Sequence, residues 1–167
     1  NIVIDAVMIS RGVGANGLAG VNVAIPAFSI FFSISLWIGM GGATLYSIAL
    51  GENKRERARS IFTQSMTVAV VIVGVLAAIC LWRIEDLAYL FGANEVILPY
   101  ALDYLHVLLT FGMIYVLENI LSTFIRNDGN PNLAMAGLVV TAVLNIVFDY
   151  IFIFIFGWGV TGAASAT

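Results

Sequence analysis

The stretch IFTQSMTVAVVIVGVLAAICLW, residues 61–82, carries no charged side chain and shows no apolar–polar alternation. At ~1.5 Å per residue, about 20 apolar residues span the ~30 Å hydrocarbon layer of a bilayer, so this segment reads as one membrane-crossing helix. Transmembrane strands would alternate in segments of about ten residues, which Val68–Ile79 does not do. Working outward, the remaining charges spare residues 12–51, 129–148 and 150–167. Uncharged runs of spanning length therefore recur along the chain, and the protein is predicted to be all-α and integral to a membrane.

The whole composition agrees. The 167 residues are 61% hydrophobic and 10% charged, with a mean hydropathy of +1.02, against about 25% charged in soluble domains. A soluble enzyme, a disordered chain and a disulfide scaffold are excluded, and nucleic-acid binding has no support. The single cysteine, Cys80, lies in an apolar run and reads as a small buried hydrophobe. The net charge of −3 says little, because in a bilayer the placement of charge matters more than its sum.

Six spans are expected: the end of a first at Ile2–Ser10, a second over Leu18–Leu50 broken by Pro26 and the Gly39/Gly41/Gly42 cluster, and a third over Ile61–Trp82. A fourth follows over Pro99–Ile125, a fifth over Leu133–Phe156, and a sixth begins near Val160. With no Met at Asn1 and an apolar stretch at Thr167, the chain reads as an excerpt, a single transmembrane bundle over 1–167 with no soluble domain. Lys54, Arg55, Arg57 and Arg59 sit in the loop before the third span, which the positive-inside rule places in the cytoplasm. Alternation then puts Arg126-Asn-Asp-Gly-Asn-Pro131 at a second inner turn, with Gly129 and Asn130 free to take positive φ and Pro131 opening the next helix. Small residues, Gly39, Gly41, Gly42, Ala43 and Ser47 in the second span and Gly159, Gly162, Ala163 and Ala164 in the sixth, mark expected helix contacts. Trp82, Tyr89, Tyr100, Tyr104 and Trp158 fall where an outer aromatic belt is expected, with His106 as an interfacial imidazole.

Acids inside spans are costly and mark function by default. Asp149 follows Asn145 and Thr141 at four-residue steps, which places the three on one helix stripe. Counting ~1.5 Å per residue from the outer ends puts Asp5, Asp149 and Thr167 at one depth, about 10 Å below the outer surface, with Asn145 a turn deeper. Two carboxylates, a carboxamide and a hydroxyl offer the oxygen donors that Na⁺ or another hard cation takes. Alternatively the two carboxylates share a proton. Glu118 either pairs with Arg126 or lines a substrate path, and Tyr115 and Thr141 are further supporting or path residues.

The chain resembles the amino-terminal half of a multidrug and toxic compound extrusion (MATE) transporter. The resemblance rests on the order and spacing of Asp5-Ala-Val-Met-Ile-Ser-Arg-Gly-Val-Gly14, Leu18-Ala-Gly20, Gly41-Gly-Ala-Thr44, Gly51-Glu-Asn, Arg126-Asn-Asp-Gly-Asn-Pro131, Asn145-Ile-Val-Phe-Asp149 and Gly159-Val-Thr-Gly-Ala-Ala-Ser-Ala-Thr167. It implies one of two six-helix bundles related as parallel repeats in a twelve-helix transporter, with the carboxy-terminal bundle missing here. It also implies export of organic, mostly cationic compounds against Na⁺ or H⁺ from a multi-pass position in a bacterial plasma membrane. No cofactor beyond the coupling ion is expected. Carried over residue by residue, the family's coupling-cation site falls on Asp5, Asn145, Asp149 and Thr167. Rival readings are a lipid-linked oligosaccharide flippase, which should carry more cationic side chains within its spans, an intramembrane aspartyl protease using Asp5 and Asp149, and a membrane scaffold.

Overall fold

The computed structural model describes residues 14–157 and 161–162, together with the side chains of all but Asp149 and Phe154 among them. Five α-helices follow in order: α1 (Ala15–Gly51), α2 (Arg55–Trp82), α3 (Ile84–Leu90), α4 (Leu98–Asn127) and α5 (Pro131–Tyr150). A π-helical turn, Ile151–Ile155, extends α5. Thr161 and Gly162 are again helical, and no strand occurs among the described residues. Four helices, α1, α2, α4 and α5 with its extension, are long and apolar enough to cross a membrane. The expected first span, Ile2–Ser10, and all but the opening of the sixth lie outside the described residues.

The second span is not broken. Helix α1 runs 37 residues without interruption through Pro26 and the glycine cluster. Proline removes one backbone donor, which neighbouring helices and side chains compensate in a membrane bundle. Its partner along almost the whole length is α4. Gly20 meets Tyr100 and Ala101, Gly112 meets Phe31, Gly39 meets Ile120 and Thr123, Gly42 meets Phe124, and the Tyr46 hydroxyl donates to Asp128 Oδ1 at 3.0 Å. Each step down α1 is matched by an equal step down α4, so the two helices run parallel and in register. That is the geometry required of two spans separated by one antiparallel crossing, here α2, whose Ser65 faces Gly42.

Two apolar clusters form the core. Phe31, Ala43, Ala69, Val73, Leu109, Val116, Ile120 and Phe124 join α1, α2 and α4 from the middle of the bundle towards the end that carries the α1–α2 turn. Val23, Ala24, Ala27, Ala88, Ala101 and Leu105 join α1, α3 and α4 towards the other end. Phe124 is the hub of that end, edge-on to Tyr46 at 5.4 Å and to Phe62 at 5.2 Å. Of the small residues expected at contacts, Gly39, Gly42 and Ala43 are at the interface, whereas Gly41 has nothing within 4 Å of where a Cβ would stand.

Helix α3 occupies what the sequence reads as a loop. Ala88 is buried, Ile84 and Leu87 pack on the cores, and Asp86 pairs with Arg83 at 2.8 Å. Seven residues are too few to show a period, and tertiary contact decides the helix. Asn94 then accepts from the backbone N–H groups of Val96 and Ile97 at 3.1 and 3.0 Å, turning the chain into α4.

The turns between α1 and α2 and between α4 and α5, both expected on the cytoplasmic side, use different chemistry. Gly129 takes φ +88° as expected, but Asn130 stays at −114°. Between α1 and α2 the left-handed residue is Asn53, at φ +58°. Asparagine tolerates this region, whereas a β-branched residue loses about 1–2 kcal/mol there. Asn53→Val should therefore lower the thermal midpoint in detergent while Asn53→Gly leaves it unchanged. Beside it the Lys54 ammonium, 2.8 Å from Glu52, bonds to the Glu52 carboxylate and holds it below the usual carboxylate range.

Candidate functional site

Helix α5 is built inside out relative to a soluble helix. Val139, Val140, Val143, Leu144, Val147 and Phe148 are exposed, while the carboxamide-bearing Asn145 is 3% exposed. In lipid, apolar residues need no shelter and polar ones do, so a helix turns its polar side inward. Thr141, one turn earlier on the expected stripe, is exposed. Asp149 stands on the α5 backbone one turn beyond Asn145, and Asp5 and Thr167 lie outside the described residues.

The backbone changes immediately after Asp149. From Ile151 the helix widens into a π turn, closed by a bond from the Phe156 N–H to the Ile151 carbonyl at 2.9 Å. Such turns concentrate at functional sites, because the wider ladder re-aims the side chains around it. Phe148, Phe152 and Phe156 stack along this segment with ring centroids 5.6 and 6.0 Å apart. A Cβ on Gly162 would meet the Phe152 carbonyl oxygen at 3.0 Å. Gly162 thus lies directly against the π turn, whose Phe152 is a turn from Asp149. Nothing in the periodicity of IFIFI, residues 151–155, announces this geometry; only the proximity of a glycine-rich segment at 157–162 hints at it.

The path residues are spread along α4. Glu118 is half-buried, nine residues before Asn127 at the end of α4, while Thr141 lies ten residues after Pro131 at the start of α5. The two stand at closely similar depth. Glu118 and Arg126 form no ion pair; the Arg126 guanidinium instead donates to Ser122 Oγ at 3.5 Å. Tyr115 is half-buried in the α1–α4 interface, its ring tilted against Phe28 at 4.9 Å, and its main-chain carbonyl accepts from Asn119 Nδ2 at 3.1 Å. Cys80 is half-buried beside Phe31, Leu87 and Leu109 rather than fully enclosed. Trp82 and Tyr89 are exposed near the ends of α2 and α3, and His106 is exposed on α4; Trp158 lies outside the described residues. Trp37, midway along α1, is 82% exposed, a residue that sequence reasoning passed over.

A family model described as MatE matches residues 2–151. The chain belongs to the MatE family. It is 28% identical over 150 residues to the "Multidrug export protein MepA" of Staphylococcus saprophyticus, covering 90% of this chain and 33% of that protein. Among solved structures it is similar to a MATE protein in the bent conformation, with 30% identity and a TM-score of 0.92, over 99% of this chain and 37% of the other. It is equally similar to an inward-facing multidrug resistance MATE family transporter of the MOP superfamily, again at 30% identity and a TM-score of 0.92, over 98% and 37%. The MatE chain thus spans about a third of the length of these relatives, consistent with the amino-terminal half of such a transporter. The family is one of membrane transporters, so the intramembrane protease reading is set aside. The protein is multi-pass and resides in the cell membrane.

Proposed function

We propose that the full-length protein exports organic, mostly cationic drugs by alternating access, in antiport with Na⁺ or H⁺. On this reading the bundle described here is one of two six-helix bundles and carries the coupling-cation site, formed by Asp5, Asn145, Asp149 and Thr167. Thr141, Glu118 and Tyr115 support that site or the substrate path. The observation that carries the reading is the buried carboxamide of Asn145 on a helix whose apolar residues are exposed. The helix turns a polar group inward one turn before Asp149, and an intramembrane acid beside a buried polar group supports a functional site there. The relative's designation as a multidrug export protein points the same way and does not favour the flippase alternative.

One elementary charge moving through the membrane potential gains ~2.3 kcal/mol per 100 mV, so a single coupled cation drives export usefully only if slippage is small. The test is ethidium transport in vesicles holding the full-length protein, with a Na⁺ gradient and a pH gradient imposed in turn. Accumulation that follows one gradient and collapses with it supports coupled antiport and names the ion. Transport indifferent to both overturns it.

A further inference from the structure

Glu118 is an acid at membrane depth without a counter-charge beside it. It stands nine residues before Asn127 at the end of α4, about 13 Å along the helix at ~1.5 Å per residue, and so well inside the ~30 Å hydrocarbon layer. The seven Lys and Arg of the chain all stand elsewhere. Lys54 to Arg59 lie at the α1–α2 turn, Arg83 joins α2 to α3, Arg126 is in the last turn of α4, and Arg11 precedes α1. Arg126 is the nearest of these along the chain, and its guanidinium stops at Ser122 Oγ, 3.5 Å away and one turn short of Glu118. Among the described residues no ion pair or hydrogen bond holds the Glu118 side chain. The other deep acid belongs to a different level. Asp149 lies eight residues beyond Thr141 on the returning helix, about 12 Å farther from the α4–α5 turn.

Around Glu118 the helix face is aromatic. Phe111, Tyr115, Glu118 and Ser122 follow at steps of four, three and four, which at about 100° per residue keeps all four within about 60° of arc. Phe111 is 57% exposed and Ser122 is buried, with Tyr115 and Glu118 half-buried between them. Across the seam with α1, the ring of Phe28 tilts against Tyr115 at 4.9 Å. The adjacent carboxamide is already committed, since Asn119 Nδ2 donates to the Tyr115 carbonyl at 3.1 Å.

An unpaired carboxylate beside aromatic rings is the chemistry that recognises a lipophilic organic cation. Ring faces attract a cation through their quadrupole, and a carboxylate in a low dielectric attracts it far more strongly than in water. A hard metal ion asks instead for several oxygen ligands, and no cluster of acids surrounds Glu118 among the described residues.

We propose that Glu118 receives the cationic group of the exported compound, whose aromatic or apolar body lies against Phe111, Tyr115 and Phe28. The proposal rests on the reading of the full-length protein as an exporter of organic cations, and it assigns drug and coupling ion to separate acids at separate depths. Charge at position 118 thereby decides which compounds bind.

The test is binding of tetraphenylphosphonium to the purified full-length protein by equilibrium dialysis, with tetraphenylborate as the probe of like shape and opposite charge. Glu118→Gln is expected to weaken tetraphenylphosphonium binding at least about 10-fold, the loss of one charge-assisted contact, whereas Glu118→Asp keeps the charge and should lose less than about 3-fold. A second measurement needs no variant. Dicyclohexylcarbodiimide modifies carboxyl groups within the bilayer, and its reaction at Glu118, located by peptide mass mapping, should be slowed by tetraphenylphosphonium and not by tetraphenylborate. Unchanged tetraphenylphosphonium affinity in Glu118→Gln, equal loss of both probes, or modification of Glu118 that saturating tetraphenylphosphonium does not slow each overturns the site, while binding by the parental protein leaves the exporter reading standing. Failure of the parental protein to bind tetraphenylphosphonium overturns the site and the cationic substrate class together.

Discussion

Gly20→Val in the full-length protein is expected to remove nearly all monodisperse material from detergent extracts. A Cβ at position 20 would stand 2.7 Å from Tyr100 Cβ and 2.9 Å from the backbone nitrogen of Ala101. The second obstacle is main chain, which cannot rotate aside as a side chain can. Relief requires α1 and α4 to separate at this level, and the contacts of Val23, Ala24 and Ala27 with Ala101 and Leu105 are lost with them. Overpacking alone costs about 1–3 kcal/mol in a well-packed core. In lipid, separated helices gain no hydrophobic penalty that would drive them back, since close packing is itself the attraction. Gly41→Val is the matched control, because open space surrounds that position, and it should elute at the parental level. Equal behaviour of the two variants in size-exclusion chromatography would contradict the packing described.

Asp149→Asn is expected to reduce gradient-driven drug transport by about 5- to 150-fold, the range of a coupling free energy of ~1–3 kcal/mol between two ligands. The substitution keeps the shape and removes the charge. The carboxamide keeps hydrogen-bonding capacity at position 149, so the variant should reach the membrane in normal amount. On the proposed antiport, drug binding in the absence of a gradient should survive, because the substitution removes the linkage to the cation. A scaffold without a cation site predicts instead that folding and transport fall together or not at all. Measuring surface abundance alongside vesicle transport separates these outcomes.

The spans were legible because bilayer thickness imposes a length on apolar runs, and Ile61–Trp82 and the run after Pro131 meet it without reference to any partner. The parallel register of α1 and α4 was not. Gly20 and Gly112 look like any membrane glycine until the opposing helix is in place. Helix α3 escaped notice for a different reason: its identity depends on Ala88 and Leu87 finding a core contributed by α1 and α4. The polar stripe of α5 was read from spacing, but Thr141 and Asn145 differ in burial, since spacing gives a face and not its neighbours. The π turn had no signature in residues 151–155, and its neighbour Gly162, where a Cβ would meet the Phe152 carbonyl oxygen at 3.0 Å, is ten residues further along the chain.

The parallel pairing of α1 with α4 has a mechanical meaning. The pair is fastened at one end by Gly20 against Tyr100 and Ala101 and at the other by Tyr46 and Ser47, whose hydroxyls reach Asp128 and Asn127. A beam pinned at both ends resists bending and shear and delivers a displacement at one face of the membrane to the other undiminished. Among the described helices α5 packs chiefly on α4 and ends in a widened turn, so movement between described helices is expected to fall on α5 rather than within the pinned pair. A cation settling near Asp149 would load the soft member, and the stiff pair would carry the resulting movement across the bilayer.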